Sequence, residues 1–250
     1  MLYIVGTPIG NLEDISMRAI RILGEVDFVL CEDTRNTGVL LDHYNIKTPR
    51  ISYHQHSDDI KIDQLIKLLE DGKNLALVTD AGTPGISDPG GFLVAKVLEH
   101  FGEDMKIESI PGPSAVTAAL SISGIPTDKF IFMGFPPHKK GRQTFIRRII
   151  DSEYPVVVYE SKHRIVKFLE ELKAMKESAS ISDEEDVKKN PSASLALRSG
   201  RRKKNLESVV VARELSKMHE TVYRGDIDNI IAKITATPDD QRGEFVVIVG

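Results

Sequence analysis

The sequence predicts an α/β fold of two α/β domains, and three observations support this prediction. Short apolar runs alternate with helix-length amphipathic segments from the first residues onward. A loop, Thr79–Gly91, carries four glycines, two prolines and two aspartates directly after an apolar run. The chain has 250 residues, of which 41% are hydrophobic and 28% are charged, a composition typical of a globular protein with a sizeable core.

The first half of the chain predicts a mostly parallel sheet with helices on both faces, because strands and helices follow one another in turn. The segment 14–23 has apolar residues at helical spacing on one face, and 59–70 is closed by Gly72. The predicted strands are 2–5, 26–31, 50–53, 75–79 and 106–110, and the predicted helices are 14–23, 34–44, 59–70, 92–98 and 115–123.

A second set of elements follows the small-residue helix 115–123, so we place the domain boundary between residues 117 and 118. The segment 176–206 has few large apolar residues and no aromatic one, so we expect a mobile surface insertion there. The predicted strands are 130–133, 156–159, 208–212 and 244–249, and the predicted helices are 139–151, 162–175 and 226–235.

Several classes of protein are disfavoured by composition. No apolar run approaches the roughly 20 residues that span a bilayer, and the first residues lack the features of a signal peptide. The single cysteine, Cys31, excludes an internal disulfide, and no set of ligands has metal-binding spacing. The net charge of −4 argues against a protein that coats nucleic acid nonspecifically. We therefore expect a cytoplasmic protein with no membrane partner and no metal.

The glycine-rich loop, Thr79–Gly91, predicts a binding site built from backbone. Glycine lets the backbone approach a ligand closely, and proline fixes the path of the chain. In open α/β sheets, ligands bind beyond the carboxyl ends of the strands, where this loop lies.

Three other loops follow predicted strands in the first half, and each has two interpretations. Gly6–Asn11 lacks the dinucleotide and P-loop patterns, and a tight turn is as consistent with it as a binding role. Glu32–Arg35 fits either a site cleft or a helix N-cap. Pro111–Ala115 allows close approach to a ligand, but simple capping by Ser114 also explains it.

Basic residues are concentrated in the second half. Residues 139–173 contain nine Lys and Arg against five Asp and Glu. Such a surplus fits contacts to phosphate, although a solvated helix face is the usual explanation for a basic run. Two further charged segments, Glu160–Arg164 and Ala212–Lys217, also follow predicted strands.

Seven motifs, taken in order, resemble the bacterial 16S ribosomal RNA cytidine 2′-O-methyltransferases of the tetrapyrrole methylase superfamily. The resemblance spans nearly the whole chain except 176–206. It implies two α/β domains of tetrapyrrole-methylase type with the donor site in the cleft between them. It also implies S-adenosylmethionine as methyl donor, 16S rRNA of the small ribosomal subunit as substrate, and a homodimer. The motifs lie at 6–19, 32–41, 79–91, 111–126, 139–142, 159–164 and 212–220.

The resemblance assigns site residues position by position. The implied donor-binding residues are Pro8, Asp80, Ala81, Gly82, Thr83, Ile86, Ser114, Ala115, Met133 and Ala212. We further expect Asp80 and Asp88 to brace the glycine-rich loop. Candidates for the chemistry are Glu32, Asp33, Glu160 and Glu214 as proton acceptors, with Arg35 and Arg213 for charge. Candidate RNA contacts are Arg35, Lys139, Lys140, Arg142 and Arg164.

Two alternative functions also fit the sequence. A methylase of the same superfamily that acts on a tetrapyrrole or corrin precursor would need a more apolar cleft, and the basic surplus favours RNA. A noncatalytic S-adenosylmethionine sensor is disfavoured because the motifs are intact in both halves. One departure from the family pattern is Lys162, which stands in Glu160–Arg164 where the family usually has proline.

Overall fold

The structure, a computed structural model, describes residues 1–54, 59–88, 90–189 and 208–250. Within these ranges the chain forms two compact units, Met1–Ala115 and Val116–Gly250. Each unit contains a five-stranded sheet. The prediction of two α/β domains is therefore confirmed.

The prediction for the first unit was a mostly parallel sheet, and its five strands pair in parallel throughout. Its strands are β1 (Leu2–Val5), β2 (Phe28–Cys31), β3 (Arg50–Ser52), β4 (Leu75–Leu77) and β5 (Ile107–Ile110). Their order across the sheet is β3-β2-β4-β1-β5. Because β1 and β4 are neighbours, the loops that follow them start side by side at the carboxyl edge of the sheet.

Helices cover both faces of this sheet. They are α1 (Met17–Glu25), α2 (Thr34–His43), α3 (Asp59–Glu70) and α4 (Gly90–Phe101), with 3-10 turns at Leu12–Asp14 and Gly102–Asp104. The first two pack with Val29 and Ala76 in one core, and the other two pack with Leu30 and Leu75 in another. Helix α1 begins later than predicted, because the extended Ser16 caps it by accepting a 3.1 Å hydrogen bond from the Ala19 N–H.

The sheet of the second unit is mixed. Its strands are β6 (Ile131–Phe132), β7 (Val156–Ser161), β8 (Val209–Arg213), β9 (Thr221–Gly225) and β10 (Glu244–Val249). Their order is β6-β7-β10-β8-β9, and only the β6–β7 pair is parallel within the described residues. Strand β9 was not predicted, because it is a short edge strand with two apolar residues and depends on pairing with β8.

The helices of the second unit are α5 (Ala115–Ser123), α6 (Arg142–Ile150), α7 (Ile165–Lys189) and α8 (Ile227–Ala236), with a 3-10 turn at Pro238–Gln241. The last three α-helices share one core with alternate residues of the strands. Residues of the opposite sheet face, such as Val157 and Ile248, are also fully buried. On that face the N–H of Val116, at the start of α5, hydrogen-bonds to Tyr159.

Helix α7 corrects the predicted end at residue 175. It continues through Lys189, into the segment predicted as an insertion, because that stretch is rich in lysine and glutamate, which favour helix. Residues 190–207, which include the rest of the predicted insertion, lie outside the described residues. No helix in the described ranges is long and apolar enough to cross a membrane.

Candidate functional site

The loop after β1 and the glycine-rich loop are joined through their backbones. The Thr7 N–H donates to the Gly82 carbonyl at 2.9 Å, and the Gly82 N–H donates to the Thr7 carbonyl at 3.2 Å. The Thr7 hydroxyl also donates to the Thr79 carbonyl at 3.1 Å and is buried. The two loops therefore form one backbone-built surface at the carboxyl edge of the first sheet.

The loop after β5 packs against the loop after β1 so closely that both need glycine. A Cβ atom on Gly6 would lie 2.8 Å from Gly112 Cα, and one on Gly112 would lie 2.7 Å from the Gly6 carbonyl oxygen. Real Cβ atoms do not come so near to backbone atoms, so any side chain would push the loops apart.

The glycine-rich loop is held in shape by one carboxylate. Asp88 Oδ1 accepts hydrogen bonds of 2.7 Å from the Gly85 N–H and from the Gly90 N–H. Ser87 lies between these groups with a φ of 65°, which costs a non-glycine residue energy. Asp88 thus braces the loop, as predicted, and a strained turn persists because its neighbours hold it.

The loop after β2 contains a helix cap and an exposed cation. Asp33 caps α2 by accepting from the Arg35 N–H at 2.8 Å, which confirms the N-cap interpretation. The side chain of Arg35 also donates to Asp33, and these bonds lower the pKa of Asp33 to about 2. The Arg35 side chain is nevertheless 88% exposed, so its outer face is open to a ligand.

Glu32 differs from the other acidic residues of this edge. Burial raises the pKa of its carboxyl group, the hydrogen bond from Thr79 opposes this shift, and the charges of Asp88 and Asp80 reinforce it. The Thr79 hydroxyl donates to Glu32 Oε1 at 2.7 Å. Asp80 accepts from Asn36 Nδ2 at 3.2 Å, which ties the glycine-rich loop to α2. Three carboxylates therefore place negative charge at this edge.

In the second unit, four charged side chains form a buried ion-pair cluster: Arg142, Glu160, Arg164 and Glu171. The side chain of Glu160 is 0% exposed and lies 2.8 Å from Arg164 Nη2 and 3.8 Å from Arg142 Nη1. Arg142 Nε donates to Glu171 Oε2 at 2.7 Å. Arg142 and Glu160 are buried, whereas Arg164 and Glu171 are partly exposed at the margin of the cluster.

A second charged group ties the β8–β9 turn to the region before β10. Arg213, only 6% exposed, donates to the carbonyls of Arg242 at 2.7 Å, His219 at 3.3 Å and Asp239. Glu214 Oε1 accepts from the Glu244 N–H at 2.8 Å and from Lys217 Nζ at 2.9 Å. Burial raises the pKa of Glu214, but these hydrogen bonds outweigh it and the net pKa is lowered.

Comparison with known proteins decides the family. The family described as tetrapyrrole (corrin/porphyrin) methylases matches residues 1–231. The chain is 39% identical over 251 residues to the ribosomal RNA small subunit methyltransferase I of Synechocystis sp., covering 100% of this chain and 78% of that relative. The chain belongs to the tetrapyrrole methylase family. It is also 38% identical over 231 residues to the protein of the same name from Thermotoga maritima, covering 92% of this chain and 90% of the relative.

A solved structure gives the same fold for this tetrapyrrole methylase. The crystal structure of the methyltransferase CobJ matches it with a TM-score of 0.63, covering 100% of this chain and 93% of that chain. Sequence identity is 15%, so this likeness concerns the fold alone.

The structure groups the donor-binding residues predicted for the first unit of this tetrapyrrole methylase on three loops at one sheet edge. Pro8 follows β1, the set Asp80–Ile86 follows β4, and Ser114 follows β5 just before Ala115 begins α5. The remaining two lie in the second unit, where Met133 follows β6 and Ala212 is buried in β8. Their role in donor binding stays a prediction.

The predicted chemical and RNA-binding residues of the second unit include both exposed and buried side chains. Lys139 and Lys140 are exposed, in keeping with RNA contact. Arg142, Glu160 and Arg213 are buried among protein partners, which favours positioning roles in this tetrapyrrole methylase.

Sequence reasoning missed two kinds of residue. Thr7 and Thr79 join the loops by hydrogen bonds, and their places two residues beyond the ends of β1 and β4 were the available signal. Glu171 gave no signal, because it lies 29 residues from its partner Arg142 on a different helix.

Proposed function

We propose that this tetrapyrrole methylase transfers a methyl group from S-adenosylmethionine to the 2′-hydroxyl of a cytidine ribose in 16S rRNA of the small ribosomal subunit. The observation that carries the proposal is the similarity, over 92% to 100% of this chain, to proteins named ribosomal RNA small subunit methyltransferase I. Exposed basic residues in both units support a polyanionic substrate.

The loops at the carboxyl edge of the first sheet fit the methyl donor. Their backbones approach one another without intervening side chains, and the exposed Ala81 and Ile86 offer apolar surface. The negative charge of Glu32, Asp80 and Asp88 suits a positively charged ligand. When bound, S-adenosylmethionine supplies an electrophilic methyl group. The residues proposed to hold it are Pro8, Asp80, Ala81, Gly82, Thr83, Ile86, Ser114 and Ala115, with Met133 and Ala212 from the second unit.

Glu32 is the proposed proton acceptor for the ribose hydroxyl. A general base works best with a pKa near the operating pH. The pKa of Asp33 is lowered to about 2 and that of Glu214 is lowered, whereas burial raises the pKa of Glu32. Glu160 is buried and paired with arginine. The hydrogen bond from Thr79 orients the Glu32 carboxylate.

A rate measurement tests this assignment. The variant Glu32→Gln keeps an oxygen for the Thr79 hydroxyl but accepts a proton poorly, so its single-turnover rate is expected to fall by about 100-fold. Donor binding, measured by calorimetry, should weaken far less than the rate, because Asp80 and Asp88 keep the negative charge of this edge. A Glu32→Gln protein with the full rate would exclude Glu32 as the base.

Contacts to RNA phosphates are proposed for Arg35, Lys139 and Lys140, which are exposed. Lysine and arginine contacts of this kind weaken as salt concentration rises. We also propose that two copies of the chain form a homodimer and that the protein works in the cytoplasm, where small subunits are assembled. The resemblance of the motifs supports the dimer, and the substrate supports the location.

The proposed function is tested with three acceptors and labelled S-adenosylmethionine. Assembled small subunits that lack the modification should accept label, and a precorrin should not. Naked 16S rRNA shows whether the assembled subunit is needed. Transfer to the precorrin alone would reassign the chain to tetrapyrrole chemistry. Donor binding without transfer to any acceptor would instead indicate a sensor.

A further inference from the structure

The loop between β6 and α6, Phe135–Gly141, presents groups of the kind that bind RNA; we refer to it as the basic loop. Phe135 is 51% exposed, and Lys139 and Lys140 are exposed as well. Aromatic rings stack on unpaired bases, and lysines contact phosphates. The Phe135 ring lies 5.4 Å from the ring of Tyr159, which anchors the start of the loop on β7.

Two arginines of the buried ion-pair cluster hold the backbone of this loop. Arg164 Nη1 donates to the Pro136 carbonyl at 3.0 Å, and Arg142 Nη1 donates to the Pro137 carbonyl at 3.1 Å. Proline has no N–H, so a carbonyl is the only backbone group through which either residue can be held by a hydrogen bond. Two consecutive carbonyls are thus fixed from inside the unit.

Two carboxylates hold these arginines in turn. Glu160 Oε1 lies 2.8 Å from Arg164 Nη2 and accepts from its neighbouring N–H, Ser161, at 2.7 Å. Glu171 Oε2 accepts from Arg142 Nε at 2.7 Å. The side chain of Arg142 is only 7% exposed, and its guanidinium lies 5.8 Å from the centre of the Phe168 ring. A neutral glutamine in place of either glutamate would leave an arginine less firmly held.

The energetics of the cluster point away from a purely stabilising role. Arg142 Nη2 and Glu160 Oε2 are buried without a hydrogen bond to any residue that the structure describes. Buried ion pairs recover their desolvation cost only when the remaining polar atoms are satisfied as well. The clear outcome of the arrangement is the fixed path of the basic loop.

We propose that the buried ion-pair cluster positions the basic loop for contact with RNA. Glu160 and Glu171 are then positioning residues, which act on RNA binding through Arg142 and Arg164 without touching RNA themselves. This inference rests on the proposed function for the identity of the ligand. It assigns the RNA contact to Phe135, Lys139 and Lys140, and it gives Glu160 a role other than proton acceptor.

The experiment compares Glu160→Gln and Glu171→Gln with the matched control Glu170→Gln. Glu170 is the exposed neighbour of Glu171 on α7. Hydrogen exchange followed by mass spectrometry reports on the loop, with a peptide over 244–249 as the control for global folding. Affinity for small subunits and the single-turnover rate at saturating subunits are measured in parallel. Glu171→Gln serves if Glu160→Gln fails to fold, because Glu171 is less buried.

Both cluster variants are expected to exchange faster over 134–142 and to bind subunits about tenfold more weakly, with a near-normal rate at saturation. Unchanged exchange and affinity in Glu171→Gln would overturn the proposal. So would a lost saturated rate with normal exchange in Glu160→Gln, which would make Glu160 a group that acts in the chemistry. If the wild-type protein fails to methylate subunits, the proposed function fails, whereas exchange still decides whether the cluster holds the loop.

Discussion

The two units use glycine and charge in opposite ways. In the first unit, the loops that form the candidate donor site meet backbone to backbone, as at Gly6 and Gly112. In the second unit, charged residues at the ends of two strands and at the start of α6 are buried among protein partners, namely Glu160, Arg213 and Arg142. One unit builds its surface from main chain, and the other uses buried charge to hold its loops.

This difference shows that a charged motif in a sequence is weaker evidence for a binding site than a glycine-rich one. A glycine that must lie against another glycine is informative wherever it lies, because only its missing side chain permits the contact. An arginine after a strand has two uses, since its five donors can reach a ligand or several carbonyls of its own chain. Burial decides between these uses.

The largest effect is expected from Arg213→Ala. Removal of the guanidinium leaves the carbonyls of His219, Asp239 and Arg242 without this donor, so the free energy of unfolding should fall by about 3 kcal/mol. Urea denaturation measures it, with Arg147→Ala on the exposed face of α6 as the control. A stable Arg213→Ala protein that cannot transfer methyl groups would make Arg213 part of the chemistry and would remove the contrast between the units.

Gly6→Ala should have the next largest effect. Its Cβ would lie 2.8 Å from Gly112 Cα, so the loops must separate at a cost of about 1–3 kcal/mol, and donor affinity should fall with them. Gly24→Ala is the matched control, because a Cβ there meets nothing within 4 Å. This helix position should gain stability by about 0.5 kcal/mol. Equal behaviour of the two variants would contradict the close-contact account.

Asp88→Ala is expected to act locally. The N–H groups of Gly85 and Gly90 lose their acceptor, so the donor dissociation constant should rise by about tenfold while thermal stability changes little. Asp88→Asn retains a side-chain oxygen and should change the constant by less than about threefold. Calorimetric titration with S-adenosylmethionine measures both. Identical constants for the alanine variant and the wild type would show that the brace is not needed for binding.

The smallest effect is a pH dependence at Glu32. Burial raises the pKa of this carboxyl group above its ordinary value of 4.5, so the folded state holds its proton to higher pH than the unfolded state. The stability that this proton contributes is present at low pH and is lost as the pH rises through the folded pKa. Glu32→Gln should therefore become more stable relative to wild type as the pH rises above the ordinary glutamate pKa of 4.5. Urea titrations at several pH values measure the free energy of unfolding of both proteins. If the difference between them does not change with pH, Glu32 is not desolvated.

Much of the fold follows from sequence because local patterns determine it. The apolar runs at Leu2–Val5 and Glu244–Val249 form strands with the predicted bounds, and the glycine-rich loop lies at a strand end as expected. Strand β9 depends on pairing with β8, and the start of α1 depends on one serine cap. Such features arise from tertiary contacts and single hydrogen bonds that a hydrophobic pattern does not record.

The candidate site also contains features that local sequence predicts and features that depend on tertiary contacts. The loops of the first unit were predictable, because glycine permits positive φ and close backbone approach, and proline fixes φ, wherever they occur. The partners of Arg142 were not, because Glu171 lies on a distant helix and the carbonyl of Pro137 gives no signal in a sequence. Glu32 and Glu160 are both glutamates after or within a predicted strand end, and the sequence does not distinguish them. In the structure, Glu32 has a raised pKa, whereas Glu160 is paired with arginine.

The central claim is ribose methylation of small-subunit RNA, and mapping at nucleotide resolution tests it most directly. Small subunits that lack the modification are incubated with the protein and S-adenosylmethionine, and their 16S rRNA is then analysed for 2′-O-methyl groups. One new methyl group is expected, on the 2′-oxygen of a cytidine, and it should not form with Glu32→Gln in the same time. A methyl group on a base, or none on any subunit RNA, would contradict it.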